Sequence, residues 1–458
     1  MENNPQNQVI SEKIITESAK KQALNPEKTS KTTEDKGKKD KEPKVENDDT
    51  GEEKKPIDKL ETYLKLSYKF RYNIVKEELE CKANDKESFG ILSDRNKAEI
   101  KTQLAKKGYK SYKSLLDDLL LSTSFSPNFN PFTDYFEALP KWDGETDYIA
   151  KLCSYVRTTD DEWFKTMLTK HIVRTIACCL GKLEFNKYCF TFQGRQDDGK
   201  TFFVRFLMPK ILDSYYKENP PLDNKDSLFA LGKYMIINLD ELHDLDKANA
   251  NRVKSLFSQS KITERKHFGK SDSEQARYAS FFGTVNERDF LNDVTGNVRW
   301  LVFEILNINH DTGGKNGYSA NVKIDDVWSQ AYTMLLEGFD FNLSQEEKIK
   351  VTSNNKAYQK MTTEIEIIPR YFSPSNEGYD SAIFVNATDV KEAINIATGN
   401  RHNINIINIG KAFAYLNFLK IKNTKTDRYG YWVKTDNIGI FEFLQNIPTI
   451  LPAEPLKC

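Results

Sequence analysis

The feature that most constrains this chain is Gly194-Arg-Gln-Asp-Asp-Gly199-Lys200-Thr201. It is a Gly-x4-Gly-Lys-Thr loop. An apolar run, Lys187 to Gln193 with Tyr-Cys-Phe-Thr-Phe at its centre, precedes it, and a helical stretch from Phe202 to about Ile211 follows. Strand, loop and helix in that order turn backbone N–H groups toward a phosphate chain. Lys200 is expected to neutralise β- and γ-phosphate charge, and the Thr201 hydroxyl to bind Mg²⁺. ATP and Mg²⁺ are therefore the expected ligands, with Gly194, Arg195, Gln196, Asp197, Asp198, Gly199, Lys200 and Thr201 forming the cradle. A plain glycine turn has the same composition but does not need the flanking strand and helix.

Such a loop needs an acidic partner on a neighbouring strand. Tyr234-Met-Ile-Ile-Asn-Leu ends in Asp240-Glu241. Asp240 is expected to hold Mg²⁺ through water, and Glu241 to polarise the attacking water. The bland alternative is a strand ending at a solvated acidic pair. A further strand, Ala279 to Val285, ends at Asn286, which can bond both a γ-phosphate and the lytic water. It could equally cap the next turn. Thr295-Gly-Asn-Val-Arg299-Trp300 follows. An arginine just before a buried strand can reach a neighbouring subunit's γ-phosphate as an arginine finger, or pair locally on the surface. Glu241, Asn286 and Arg299 are thus the catalytic candidates, and Thr201 and Asp240 the metal candidates.

These four elements, in this order, resemble superfamily 3 helicases of the AAA+ class, and more closely the virulence-associated protein E family of phages and integrated mobile elements. The match is carried by the Gly-x4-Gly-Lys-Thr loop, Leu239-Asp-Glu-Leu242, Phe282-Gly-Thr-Val-Asn-Glu287 and Thr295-Gly-Asn-Val-Arg-Trp300. Asn130-Pro-Phe and Trp142-Asp-Gly144 resemble the family's entry segment. The resemblance spans about Asn130 to Leu336. Where the family carries two arginines in its Thr-Gly-Asn phrase, Val298 stands in place of the first, so Arg299 has to act alone. No polymerase-type primase domain is evident, which implies a separate primase or initiator if priming occurs.

The remaining chain is read around that core. Residues 1–58 contain no Phe, Trp or Tyr and are crowded with Lys, Glu, Asp, Asn and Thr, the composition of a disordered charged tail or partner-docking arm. Residues 59–129 are expected to form a small helical domain, with apolar spacing at Ile100, Leu104, Tyr109, Tyr112, Leu115, Leu116 and Leu119. Residues 130–310 are the ATPase with its leading helices. Residues 311–366 are a helical connector, in which Ser344-Gln-Glu-Glu347 is a capping-box pattern. Residues 367–458 look like a winged helix. The fold class expected is α/β: an AAA+ core with a helical N-terminal domain and a C-terminal winged-helix domain.

Charge is balanced, 67 basic against 67 acidic residues, which excludes a uniformly basic nucleic-acid coat but not local patches. No apolar run is long enough to span a membrane, and Met1 to Ile10 lacks a signal core. The six cysteines form no C-x-x-C pair, which argues for a reducing cytoplasm. His171, His243, His310 and His402 give no triad or metal spacing, and the tryptophans read as core.

Two basic segments are candidates for DNA. Lys261-Ile-Thr-Glu-Arg-Lys266-His267-Phe-Gly-Lys270 resembles in position the pore hairpin of superfamily 3 helicases, which implies that Lys266, His267 and Lys270 face a central channel, unless the run is simply a solvated loop. In the C-terminal region, a helix from Ala387, a Gly399-Asn-Arg loop, a second helix from Ile406 and a hairpin place Lys411 on a recognition helix and Lys422, Lys425 and Arg428 on a wing. Winged helices also bind proteins. The leading expectation is an ATP-driven DNA helicase or replication-initiation motor of a mobile element. The resemblance implies a homo-oligomeric ring, a hexamer, on single-stranded or forked DNA. The alternatives are a remodelling or defence ATPase that does not unwind DNA, and a DNA-binding protein that uses ATP as an assembly switch.

Overall fold

The computed structural model describes residues 55–110, 112–221, 225–242, 247–265, 272–291, 297–423 and 427–447. The chain divides between Lys55 and Pro56, and the fold below belongs to the second unit. Of the expected tail, residues 1–54 lie outside the described residues. The first described element, α1 (Pro56–Ser67), opens on a proline, where a missing N–H costs nothing.

The expected helical domain is a mixed one. After α1 come β1 (Tyr68–Asn73), β2 (Glu78–Ala83), β3 (Gly90–Ile91), α2 (Asp94–Lys106), α3 (Tyr112–Leu121) and β4 (Asn128–Phe129). The sheet order is β3-β2-β1-β4, with β4 parallel to β1. Tyr68, Phe70 and Tyr72 alternate along β1, and this period-two signal lies inside a run whose helical neighbours obscure it. Phe70 joins Leu60, Leu64, Ile100, Leu104, Leu116 and Leu120 in one buried cluster.

The central domain begins with α4 (Pro131–Ala138), capped by the Asn130 side chain. It continues through α5 (Tyr148–Cys153), β5 (Val156–Thr158), α6 (Asp161–Cys179), β6 (Cys189–Gln193), α7 (Lys200–Phe206), β7 (Tyr216–Glu218), α8 (Lys225–Lys233), β8 (Ile236–Leu239), α9 (Lys247–Ser258), β9 (Ile262–Arg265), β10 (Asp272–Gln275), β11 (Ser280–Val285) and β12 (Trp300–Ile308). The principal sheet runs β5-β12-β6-β11-β8-β7. Every neighbouring pair from β12 to β7 is parallel, and only β5 is antiparallel, at the edge. Strands β6, β8 and β11 are buried at every residue, as expected of parallel strands covered on both faces. One face packs under α6 and α7 through Phe164, Phe190, Phe192, Phe203 and Phe303, the other under α9 through Phe257, Phe281 and Trp300. The second half of α6, His171 to Cys179, is buried on every side, with His171, Arg174 and Thr175 enclosed among apolar residues.

The connector holds α10 (Tyr318–Asn321), α11 (Ile324–Leu336) and α12 (Gln345–Asn355). The Ser344–Glu347 capping box is present as the spacing predicts. Next is α13 (Thr363–Tyr371), whose Ile365, Ile367 and Ile368 belong to the C-terminal core, so that domain starts a few residues before the expected boundary at 367. It continues with β13 (Ser373–Pro374), β14 (Ile383–Val385), α14 (Ala387–Thr398), α15 (Ile406–Tyr415), β15 (Lys420–Asn423), β16 (Arg428–Lys434) and α16 (Ile438–Gln445). Gly399 ends α14 in the left-handed conformation. Strands β15 and β16 pair as an antiparallel hairpin, so two helices and a hairpin follow in the expected order.

The N-terminal sheet is tied to the central domain. Asn73 donates to the Tyr215 hydroxyl at 2.7 Å, and Gln275 of β10 donates to the Val75 carbonyl at 3.4 Å.

Candidate active site

Parallel strands end on one edge, and here the motifs meet. Gln193 is level with Val285 of β11 and Glu304 of β12, and Leu239 of β8 is level with Gly283 of β11. Gly194, Asp240 and Asn286 therefore emerge side by side at the carboxyl ends of their strands, where ligands of open α/β sheets bind.

The loop from Gly194 to Gly199 is fastened at its start, where Gly194 N–H donates to the Val285 carbonyl at 3.1 Å. Glycine is required at Gly194, since a methyl there would sit 2.9 Å from the Ile305 carbonyl oxygen. Gly199 has φ +78°, a left-handed backbone that favours glycine. Arg195, Gln196 and Asp197 are exposed; Asp198 and Gly199 are half-buried.

Lys200 is buried, and its ammonium donates to the Gly194 carbonyl at 3.1 Å, to the Arg195 carbonyl and to Asn286 Oδ1 at 3.0 Å. Burial pushes the lysine pKa down, while Asp198, Asp240 and Asp197 act against that shift. Thr201 Oγ1 donates to Asp240 Oδ1 at 3.1 Å and lies 3.3 Å from its Oδ2. Three expected elements, from β6, β8 and β11, thus form one hydrogen-bonded cluster. Glu241 is exposed beside it with φ +55°, an uncommon backbone for glutamate.

Two partners were not evident from sequence. Buried Thr284, on β11, also donates to Asp240 Oδ1. Asn219, at the end of β7, accepts the Asp240 N–H at 2.8 Å. Thr284 sits inside the quoted Phe282–Glu287 phrase, but β7 is too short and too polar to stand out. A cavity of about 410 Å³ borders this edge, lined by Thr201, Phe202, Arg205, Tyr216, Lys217 and Glu218.

Arg299 is not in the cluster. It ends a 3-10 turn at the amino end of β12, the opposite edge of the same parallel strands, on the order of 15 Å away along the stretch from Trp300 to Glu304 that pairs with β6. Thr295 lies outside the described residues, as do Lys266, His267 and Lys270 between β9 and β10, and Lys425 between β15 and β16. Lys411 is half-buried on α15. Lys422 pairs with Asp427 at 2.5 Å across the β15–β16 hairpin, which raises the lysine pKa and locally offsets its charge. Arg428 is exposed at the start of β16.

Fold and cluster together define a class: a mixed α/β protein whose parallel sheet carries a glycine-rich loop and an acidic pair at its carboxyl edge. Residues 136–360 match the profile of the virulence-associated protein E-like domain. No curated protein matches the sequence. Among solved structures, the apo C-terminal region of NrS-1 is similar at 14% identity and TM-score 0.47, over 84% of this chain and 100% of that one. The active helicase Cch of SCCmec type IV is similar at 13% identity and TM-score 0.32, over 80% and 92%. The JCV helicase is similar at 13% identity and TM-score 0.26, over 60% and 77%. Among the described residues no helix is long and apolar enough to cross a membrane.

Proposed function

We propose that the chain is an ATP-hydrolysing DNA motor of the AAA+, superfamily 3 type, acting as a homo-oligomeric ring, a hexamer, in replication of a mobile element. The observation that supports this most is the convergence of Lys200, Thr201, Asp240 and Asn286 at one sheet edge. The strand order β12-β6-β11-β8-β7 agrees with it, because β11 stands between the loop strand and the acidic strand.

The donor set fits Mg²⁺. Among the described residues no group of three or more His, Cys, Asp or Glu is placed to hold a metal. One hydroxyl and one carboxylate 3.1 Å apart suit a hard cation that completes its shell with water and phosphate oxygens. Mg²⁺ bound there by Thr201 and Asp240 would neutralise phosphate charge. Lys200 would leave the Gly194 and Arg195 carbonyls for the β- and γ-phosphates. Glu241 would take a proton from the attacking water as its oxygen bonds to the γ-phosphorus and the bond to the bridging oxygen breaks, releasing ADP. Asn286 would hold the γ-phosphate and the water. Arg299, at the far edge in its own subunit, would act on the neighbour's nucleotide. DNA would pass the segment between β9 and β10 that carries Lys266, His267 and Lys270. The C-terminal domain, read as a winged helix, would add Lys411, Lys422, Lys425 and Arg428, and a separate primase or initiator would lay down primers.

A second reading of that domain has its own support. Ile407 is 71% exposed on α15, and Ala414, on the same face, is exposed too. Exposed apolar side chains on either side of Lys411 on that face suit a protein partner.

The test is steady-state ATP hydrolysis with and without single-stranded DNA, beside Lys200→Ala. Strong stimulation by DNA that the variant lacks is the expected result. Hydrolysis indifferent to DNA would favour a remodelling ATPase, and binding without hydrolysis an assembly switch.

A further inference from the structure

Strand β12 lies against β6 on the side away from β11 and β8. The loop that leaves β12 turns back over the phosphate loop, and His310 is the residue that reaches it. A methyl built on Gly199 would lie 2.8 Å from His310 Cδ2 and 3.4 Å from its Nε2, so the imidazole rests directly on that glycine.

The ring is held by its own loop. His310 Nδ1 accepts the Thr312 N–H at 3.0 Å, which in the neutral ring leaves the proton on Nε2. The residue's N–H donates to the Ile308 carbonyl at 3.0 Å, and its carbonyl accepts the Gly313 N–H at 3.1 Å. Asp311 Oδ2 accepts the Asn316 N–H at 2.8 Å. Asp311 and Thr312 both have φ 45°, a sparsely populated backbone that the surrounding bonds maintain. The imidazole is therefore a positioned donor on the phosphate loop.

Its place along the loop has a direction. Asn286 and Asp240, the groups suited to a terminal phosphate and its metal, lie on the β11 and β8 side of β6. His310 lies on the β12 side, away from both. We propose that His310 is a nucleotide-contact residue, donating its Nε2–H to a phosphate oxygen on the nucleoside side of the γ-phosphate. The inference rests on the ATP reading of the loop and assigns nucleoside diphosphates and triphosphates as equal ligands of this contact.

The test is titration of the purified full chain with fluorescent ATP and ADP analogues, for the wild type, His310→Ala, His310→Phe and His310→Gln, beside Lys200→Ala. A charge-assisted bond of this kind predicts about a 10-fold or greater loss of affinity in the Ala and Phe variants, equal for ATP and ADP. Gln, which keeps an N–H donor, should recover most of it. Melting temperatures within about 2 °C of the wild type would show that the fold is intact. Unchanged binding in the Ala variant overturns the proposal. So does tighter binding, which would make the ring an obstruction, and so does a loss confined to ATP or one that Phe rescues. Wild-type binding no stronger than Lys200→Ala would instead refute the ATP reading, and this inference with it.

Discussion

Lowering the pH from 7.5 to 5 should destabilise the central domain through one buried group. His171 on α6 is fully enclosed, with its ring edge-on to Phe282 at 4.8 Å and its Nδ1 3.4 Å from the Asn186 amide. Burial, assisted by Arg174 one turn away, pushes its pKa down to about 3. The unfolded chain has the ordinary value of about 6.5 and binds the proton first. Stability is therefore complete above about pH 6.5 and falls as the pH drops from there toward 3, at about 1.4 kcal/mol per pH unit. At pH 5 the loss is about 2 kcal/mol. For a domain of this size that corresponds to a melting shift of about 4–8 °C. The assay is thermal unfolding of the wild type and His171→Leu at pH 7.5 and pH 5. Leucine suits the aromatic surroundings, and every other titrating group contributes equally to both proteins. The wild type should lose about 4–8 °C more than the variant between the two pH values. Equal losses would show that His171 titrates normally and would refute the burial argument.

Three further outcomes are expected. Arg277 is 2% exposed, and its guanidinium donates to the carbonyls of Leu256, Phe257, Gln259 and Asn186, joining the end of α9 to the approach to β6. Arg277→Leu should cost about 3–5 kcal/mol, read as a fall in melting temperature, because these carbonyls lose their shared donor. Gly199→Ala should destabilise by about 1–2 kcal/mol from backbone strain alone and more from the imidazole above it, and adding His310→Ala should return only the second part in the same melting experiment. Asn286→Ala should lower the rate of ATP hydrolysis by about 100-fold while nucleotide affinity, followed by fluorescence titration, changes far less.

The strands and motif ends of the central domain were legible because buried parallel strands are short apolar runs, and each candidate residue closes one of them. Lys187 to Gln193, Tyr234 to Leu239 and Ala279 to Val285 became β6, β8 and β11 with boundaries moved inward by one or two residues. The leading helices expected at the start of the ATPase concealed a break. Asp160 caps a new helix, and Val156–Thr158 forms an edge strand. Strand order was not legible, because pairing depends on contacts between distant segments. For the same reason Asn219 escaped notice and His310 was given no role: their contacts come from neighbours across the sheet edge, not from any local pattern. In the N-terminal region the alternation of β1 was overridden by the stronger helical spacing that follows it.

The position of β6 has a consequence for biosynthesis. Both of its hydrogen-bonding neighbours come later in the chain: Cys189 pairs with Phe281 and with Trp300. At roughly 5–20 residues per second, a ribosome needs on the order of 5–20 s after making β6 to deliver those partners. Throughout that interval the strand destined for the centre of the sheet, Cys-Phe-Thr-Phe-Gln, has no edge to join. Nascent chains are therefore most vulnerable to aggregation between the completion of β6 and the emergence of β12. Slower translation at low temperature lengthens that interval, so holdase chaperones should improve soluble yield more than cooling alone.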